Sequence, residues 1–310
     1  MFSATPFKSI LELIKAFPDE QSCIDHLERV LWDGTPVSPF DPASQVYKCK
    51  NNRYKCKNTN KYFNVKIGTI FEGTKISLQV WYMAMYIFSS HKKGISSHQL
   101  AKDLDVTQKT AWFILERLRE AMNTESFKEE MEGVIEVDET FVGGKNRNRH
   151  HDKKVKNSQG RSFKDKTPVV GLLNREGNVR CFVVPDTSIE SVQPIVRENV
   201  KKGSIVISDE WKAYKGLNND YTHMVVEHGK GQYVNDEGGT TNSIENVWSN
   251  FKKGIIGIYH NRPTRKHLQG YADEFAFRYN TRKDSTDGRF NVLLSETKGK
   301  RLTYQNLIAK

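Results

Sequence analysis

Two short apolar runs in this chain each end on an aspartate: Val134–Val137 leads into Asp138, and Ile205–Ser208 leads into Asp209. Both runs have the length and β-branched content of buried strands. The carboxyl ends of strands are a usual position for active groups in open α/β sheets, and strands alternating with helices indicate an α/β or α+β domain. The neighbouring sequence agrees. GVIEVDETFVGG, TPVVGLLNREGNVRCFVVPD, GSIVISDE and HMVVEH read as strands, while about 188–200, 211–217 and 242–253 have helical periodicity. One more amphipathic helix is expected over about 263–282, followed by a polar tail.

The half of the chain before Gly133 reads differently. Two short helices broken at Pro18 open it, and the turn-rich DGTPVSPFD of 33–41 ends that unit. Val46–Glu72 alternates apolar and polar residues as a small β-meander with a turn at Asn51–Asn52. Helical periodicity then runs from Leu78 to about Asn123, and no internal repeat is present. With 310 residues there is chain enough for roughly two domains. The expected division is 1–75 for the first helices and β unit, 76–130 for a helical module, 131–285 for the α/β domain and 286–310 for the tail.

Within the helical module, Ile95–Leu118 (ISSHQLAKDLDVTQKTAWFILERL) has the layout of a helix-turn-helix. Leu100 and Ala101 fit a packed first helix, Leu104-Asp105-Val106 the turn and Thr107 the N-cap of the second. Gln108, Lys109 and Thr110 then lie at the exposed start of that helix, the part of a recognition helix that reaches base edges. Gln can pair with adenine, and Lys can reach guanine or phosphate. An ordinary helical hairpin with a polar surface is the alternative.

Lys plus Arg number 48 against 37 Asp plus Glu, a net charge of +11. That points only loosely to a polyanion. It acquires a location at Lys145–Lys166 (KNRNRHHDKKVKNSQGRSFKDK), where nine basic residues, among them Lys145, Arg147, Arg149, Lys153 and Lys154, face two acids. So polar a stretch cannot build a core and is expected to be a loop, either a solvated insertion or a phosphate-contacting arm. No apolar run approaches the ~18 residues of a membrane span, and MFSATPFKSI lacks the pattern of a secretory signal. A cytoplasmic, nucleoid-associated location is the expectation.

The third acid of interest is Glu245, in the amphipathic segment NSIENVWSNFKKG, where Ile244, Val247, Trp248 and Phe251 form the packed stripe. Carboxylates are the hard donors that Mg²⁺ or Mn²⁺ prefers, and two such ions can serve both oxygens of a phosphoryl transfer. Asp138 would bridge the ions while Asp209 and Glu245 each hold one. Lys252, with Lys253, could position a backbone phosphate. Competing readings remain: Asp138 and Asp209 as turn residues, Asn242 and Glu245 as a capping box, and Glu136 as a substitute ligand. The four cysteines (Cys23, Cys49, Cys56, Cys181) fit no disulfide framework, and Cys49 with Cys56 supplies only two of a zinc site's four ligands.

IEVDETFVGGK, IVISDEWKAY, TTNSIENVWSNFKKGIIGIYH and KHLQGYADEFAFRYNTR together resemble the bacterial insertion-sequence DDE transposases related to eukaryotic Merlin transposons. The resemblance extends from about Phe17 through Arg282. It implies a ribonuclease H-like catalytic fold with mixed sheet, a divalent metal, and cleavage and strand transfer at inverted-repeat ends. It also implies double-stranded DNA as partner and at least a dimer on DNA. The family's first two catalytic acids fall on Asp138 and Asp209, and its third position on Glu245, with Asn242 as fallback. Many relatives carry a zinc ribbon with two CxxC pairs; here the first reads Val37-Ser38-Pro39-Phe40 and the second keeps Cys56 but has Thr59, so structural zinc is not expected. A domesticated DNA-binding regulator and a nuclease without strand transfer are the alternatives.

Overall fold

The computed structural model describes residues 6–123, 129–144, 146–156, 162, 164–227, 238–260 and 263–309, with the side chain of Lys153 excluded. The chain divides into two units, Met1–Met122 with Lys283–Lys310, and Asn123–Arg282.

In the first unit, helix α1 (Ile10–Ala16) is capped by Ser9, whose side chain accepts from the Glu12 N–H. Helix α2 (Glu20–Trp32) follows Pro18 and opens on a capping box between Asp19 and Ser22. Strands β1 (Val46–Lys48), β2 (Tyr54–Cys56) and β3 (Tyr62–Phe63) form an antiparallel sheet in that order. The first turn uses Asn51 and Asn52 at φ of 60° and 53°, a conformation asparagine tolerates better than most residues. Tyr54, Cys56 and Phe63 make the small core beneath it, packed by Trp32, Val46 and Ile67.

Ser38, the second residue of the Val37–Phe40 stretch, is fully buried. Its hydroxyl oxygen accepts the backbone N–H groups of Phe40 (3.2 Å) and Asp41 (3.3 Å). Asp41 in turn accepts from the Asn58 side chain at 2.7 Å. Hydrogen bonds thus tie this loop to the sheet. Around the Cys56 sulfur, burial raises the thiol pKa, but Ser38, Ser44 and Thr59 outweigh it and bring the group down to about 6.

Helices α3 (Leu78–Ser90), α4 (Ser97–Asp103) and α5 (Gln108–Met122) follow. Asp105, at φ 51°, makes the sharp turn between α4 and α5. The Thr107 hydroxyl accepts the N–H of Thr110 at 3.2 Å, the N-cap bond expected from the sequence. The segment expected as a polar tail carries two helices, α9 (Thr286–Ser295) and α10 (Tyr304–Ala309), and belongs to this first unit. The reason is packing: Phe290 sits 5.2 Å from Phe7 and 5.3 Å from Tyr82, ring centre to ring centre.

The second unit is built on a five-stranded mixed sheet of order β6-β5-β4-β7-β8. Its strands are β4 (Val134–Val142), β5 (Thr167–Asn174), β6 (Val179–Val183), β7 (Ile205–Asp209) and β8 (Thr222–Val226). β4 pairs antiparallel with β5 and parallel with β7, and β8 continues parallel. Helix α6 (Ile189–Asn199) covers one face through Val192 and Val196 against Ile135, Val137, Leu172 and Val206. Helices α7 (Asn242–Gly257) and α8 (Leu268–Asn280) cover the other, where Ile244, Trp248 and Phe251 meet Val169 and Leu173. The helix expected over 211–217 is two 3-10 turns, Lys212–Tyr214 and Leu217–Asn219, because Gly216 between them has a left-handed φ of 92°. The basic segment is not structureless throughout: Asn146–Asn148 and His151–Lys153 form 3-10 turns, and Asn146 both donates to and accepts from the backbone of Val155.

Candidate active site

The parallel register of β4 and β7 matches Glu136 with Ile207. Two residues further along each strand come Asp138 and Asp209, so the two aspartates stand level on neighbouring strands. At that level β7 ends while β4 runs on to Val142, with no strand beside it on that side among the described residues. Glu139 joins them. Asp138, Glu139 and Asp209 each offer an oxygen within 4.8 Å of the others, the one group of three potential metal-ligating acids or imidazoles among the described residues.

Three carboxylates so placed repel one another by roughly 3–4 kcal/mol per pair at an effective dielectric near 20. A divalent cation would reverse the sign of that energy, and an all-oxygen donor set suits a hard ion. The field of the cluster is felt nearby. The fully buried Tyr214 has its pKa raised well above the ordinary value, first by burial and then by the charges of Glu139, Asp138 and Asp209. One oxygen of Asp209 is fixed by the backbone N–H of Trp211 at 3.0 Å.

Sequence reasoning missed Glu139. Strict alternation puts it on the opposite face of β4 from Asp138, but that rule loses force where the neighbouring strand has ended. The signal was the adjacency of the two acids level with the end of the β7 run.

Glu245 lies in the first turn of α7, exposed, and is not in this three-acid group. The capping box read from Asn242 and Glu245 does not form. Asn242 is the first helical residue rather than the cap, Thr241 at the cap position makes no side-chain cap bond, and the Thr240 hydroxyl accepts the Asn242 N–H at 3.1 Å. A second first-turn N–H is held from the sheet. Glu136, fully buried on β4, accepts the Ile244 N–H at 2.9 Å with one oxygen and the Arg175 side chain at 3.2 Å with the other. One oxygen thus holds α7 and the other Arg175, and Glu136 is not in the three-acid group.

Close packing brings α7 down onto the sheet beside Asp138. Gly171 is the cross-strand partner of Asp138, and a β-carbon there would lie 2.4 Å from the Trp248 ring. Only glycine admits the helix so near.

The expected DNA contacts fall in both units. Gln108, Lys109 and Thr110 lie at the start of α5: Gln108 donates to Ser97 at 2.8 Å, the Lys109 ammonium sits 5.3 Å from the Tyr304 ring centre, and Thr110 shares a hydroxyl bond with Thr107. Arg147 and Lys154 are exposed, and Arg149 donates to the Asp165 carbonyl at 2.9 Å. Lys252 and Lys253 are exposed on α7. Lys145 and the side chain of Lys153 lie outside the described residues. No helix is long and apolar enough to cross a membrane among the described residues.

Known proteins similar to this chain carry mobile-element descriptions. An uncharacterized protein in transposable element ISH50 of Halobacterium salinarum is 27% identical over 237 residues, 72% of this chain and 79% of that one. An uncharacterized transposase-like protein of Haemophilus influenzae is 28% identical over 103 residues, 33% of this chain and 80% of its own length. Among solved structures, the Mos1 strand transfer complex aligns at 12% identity over 70% of this chain and 78% of that one. Its TM-score of 0.20 carries no weight for the fold. Residues 130–280, which hold the whole five-stranded sheet, its covering helices and all three clustered carboxylates, match the family model of the ISXO2-like transposase domain.

Proposed function

We propose that the chain is a DNA transposase of the insertion-sequence type that resembles the Merlin-related group, with a ribonuclease H-like catalytic domain and at least a dimer at work on DNA. The observation that carries this reading is the level placement of Asp138 and Asp209 on β4 and β7, with Glu139 completing a carboxylate group spanning no more than 4.8 Å. Asp138 and Asp209 would hold Mg²⁺ or Mn²⁺, with Glu245 of α7 as third ligand and Asn242 as its fallback. The bound ions would lower the pKa of an attacking oxygen and stabilise the leaving one. Structural zinc has no part in the proposal.

The reaction runs in two displacements. A water oxygen attacks the phosphorus at the element's end; its bond to the 3′ oxygen breaks, leaving a 3′-hydroxyl and a 5′-phosphate. That hydroxyl then attacks a phosphodiester of target DNA, releasing the target's own 3′ oxygen. The protein's part is to hold the carboxylates in place, through the N–H of Trp211 on Asp209 and the Glu136 anchor of α7. The helix-turn-helix of α4 and α5 reads the ends through Gln108, Lys109 and Thr110. Lys145, Arg147, Arg149, Lys153, Lys154, Lys252 and Lys253 neutralise backbone phosphate.

The test is incubation of the purified chain with duplex DNA taken from the flanks of its coding region, with Mg²⁺ or Mn²⁺. Cut and joined products are expected. Binding without cutting under either metal would leave a DNA-binding regulator, and cutting without joining a nuclease. Glu245→Gln, Asn242→Ala and Glu139→Gln, run side by side, identify the third ligand as the one whose loss abolishes cutting with folding intact.

A further inference from the structure

Among the large apolar side chains exposed in the described residues is one tryptophan, Trp211, 43% exposed and two positions after Asp209. It is held rather than loose. Its backbone N–H donates to Asp209 at 3.0 Å, and its indole N–H donates to the Thr187 carbonyl at 3.1 Å. Thr187 sits in a braced loop, where an Asp186 oxygen accepts both the Ser188 N–H at 3.0 Å and the Ser191 hydroxyl at 2.7 Å. These bonds keep the Asp186 carboxyl below its ordinary pKa. The indole is therefore clamped at its polar edge while ring surface is left to solvent, next to a carboxylate of the candidate active site.

Exposing an indole forgoes hydrophobic stabilisation, and fixing it in place costs side-chain entropy. Both costs fit a surface prepared for a flat, apolar partner, since a pre-oriented ring has less freedom to lose on binding. We infer that Trp211 is a stacking platform for a nucleobase of the DNA strand that runs through the Asp138–Asp209 site, and so a positioning residue for the scissile or attacking end. Aromatic stacking accepts any base, so the platform sets position rather than sequence. The neighbouring Lys212 is exposed and could meet the phosphate of the stacked nucleotide. This inference rests on the reading of the chain as a transposase.

The experiment uses the full chain and a pre-cut end duplex, its 3′-hydroxyl already free, carrying 2-aminopurine at each of the last three base positions in turn. Stacking on Trp211 should quench 2-aminopurine at one position in the wild type and in Trp211→Phe, and not in Trp211→Ala. Joining of the same duplex to target DNA with Mg²⁺ should fall about 5- to 100-fold in Trp211→Ala and stay within about threefold in Trp211→Phe. If the wild type joins DNA but Trp211→Ala quenches and joins equally well, the platform is overturned while the transposase reading stands. Equal loss of joining in both variants with quenching intact also overturns it, since Trp211 would then act through its bond to Thr187. A wild type that does not bind the duplex overturns both.

Discussion

The backbone N–H of Ile244 donates to the buried carboxylate of Glu136 at 2.9 Å, joining the first turn of α7 to the central strand of the sheet. The bond spans 108 residues of sequence and adds to the local bond in which the Thr240 hydroxyl accepts the Asn242 N–H at 3.1 Å. It also fixes the stretch that carries Asn242 and Glu245 relative to the strand that carries Asp138. Stability and site geometry therefore depend on one side chain that itself takes no part in the carboxylate group.

Glu136→Ala should leave the Ile244 N–H and the Arg175 guanidinium without their shared acceptor and destabilise the second unit by about 2–3 kcal/mol. Glu136→Gln, which keeps one acceptor oxygen, should cost about half as much. Hydrogen exchange in the first turn of α7 is the measurement, with faster exchange there than elsewhere in the unit. Unchanged protection of Ile244 would show that the Glu136 bond does not hold the helix.

Gly171→Ala should cost about 1–3 kcal/mol, because a β-carbon 2.4 Å from the Trp248 ring forces a rigid indole and its helix outward. Trp248→Leu in the same chain should recover part of that loss, so the two changes should be non-additive in a denaturation cycle. Simple additivity would contradict the contact.

His26 gives the first unit a pH dependence. Burial, with a contribution from Arg29, lowers its pKa to about 4, and its ring lies 3.1 Å from the Tyr82 hydroxyl. Between the unfolded value near 6.5 and the folded value, only the unfolded chain takes up the proton, so stability is full above pH 6.5 and falls toward pH 4. The loss should total about 3 kcal/mol. Denaturation midpoints measured between pH 7 and 4.5 check it, and His26→Phe should flatten the slope. A slope unchanged in that variant would assign the effect elsewhere.

Chelation should leave the three-stranded unit intact, because Ser38, Asp41 and Asn58 close its loop by hydrogen bonds. Ser38→Ala should lower its stability by about 1–2 kcal/mol through the two unpaired N–H groups. Melting curves with and without a strong zinc chelator decide the point, and a chelator-dependent loss of this unit would contradict it.

Much of the second unit was legible in the sequence because its strands are buried apolar runs with polar punctuation. Asp138 and Asp209 were legible for the same reason, since each closes such a run. What escaped was long-range. The separation of 71 residues between the two aspartates acquires meaning only through the parallel register that sets Glu136 beside Ile207. Glu136 could not be told from a metal ligand until its bonds to Ile244 and Arg175 were seen, and Glu139 joins Asp138 only because β7 ends at their level. The segment 286–310 read as a tail because Phe290 shows its value only when Phe7 and Tyr82, more than 200 residues earlier, are beside it.

The central claim is that Asp138 and Asp209 act together as the metal-binding pair of a DNA-cutting and joining enzyme. Its most direct test is the single-turnover cleavage rate of end-containing DNA with Mg²⁺, comparing wild type with Asp138→Asn and Asp209→Asn, folding and DNA affinity being measured alongside. The account expects each variant to bind DNA and melt like the wild type, while its cleavage falls by at least about a thousandfold. Either variant cleaving within about tenfold of the wild type would contradict it.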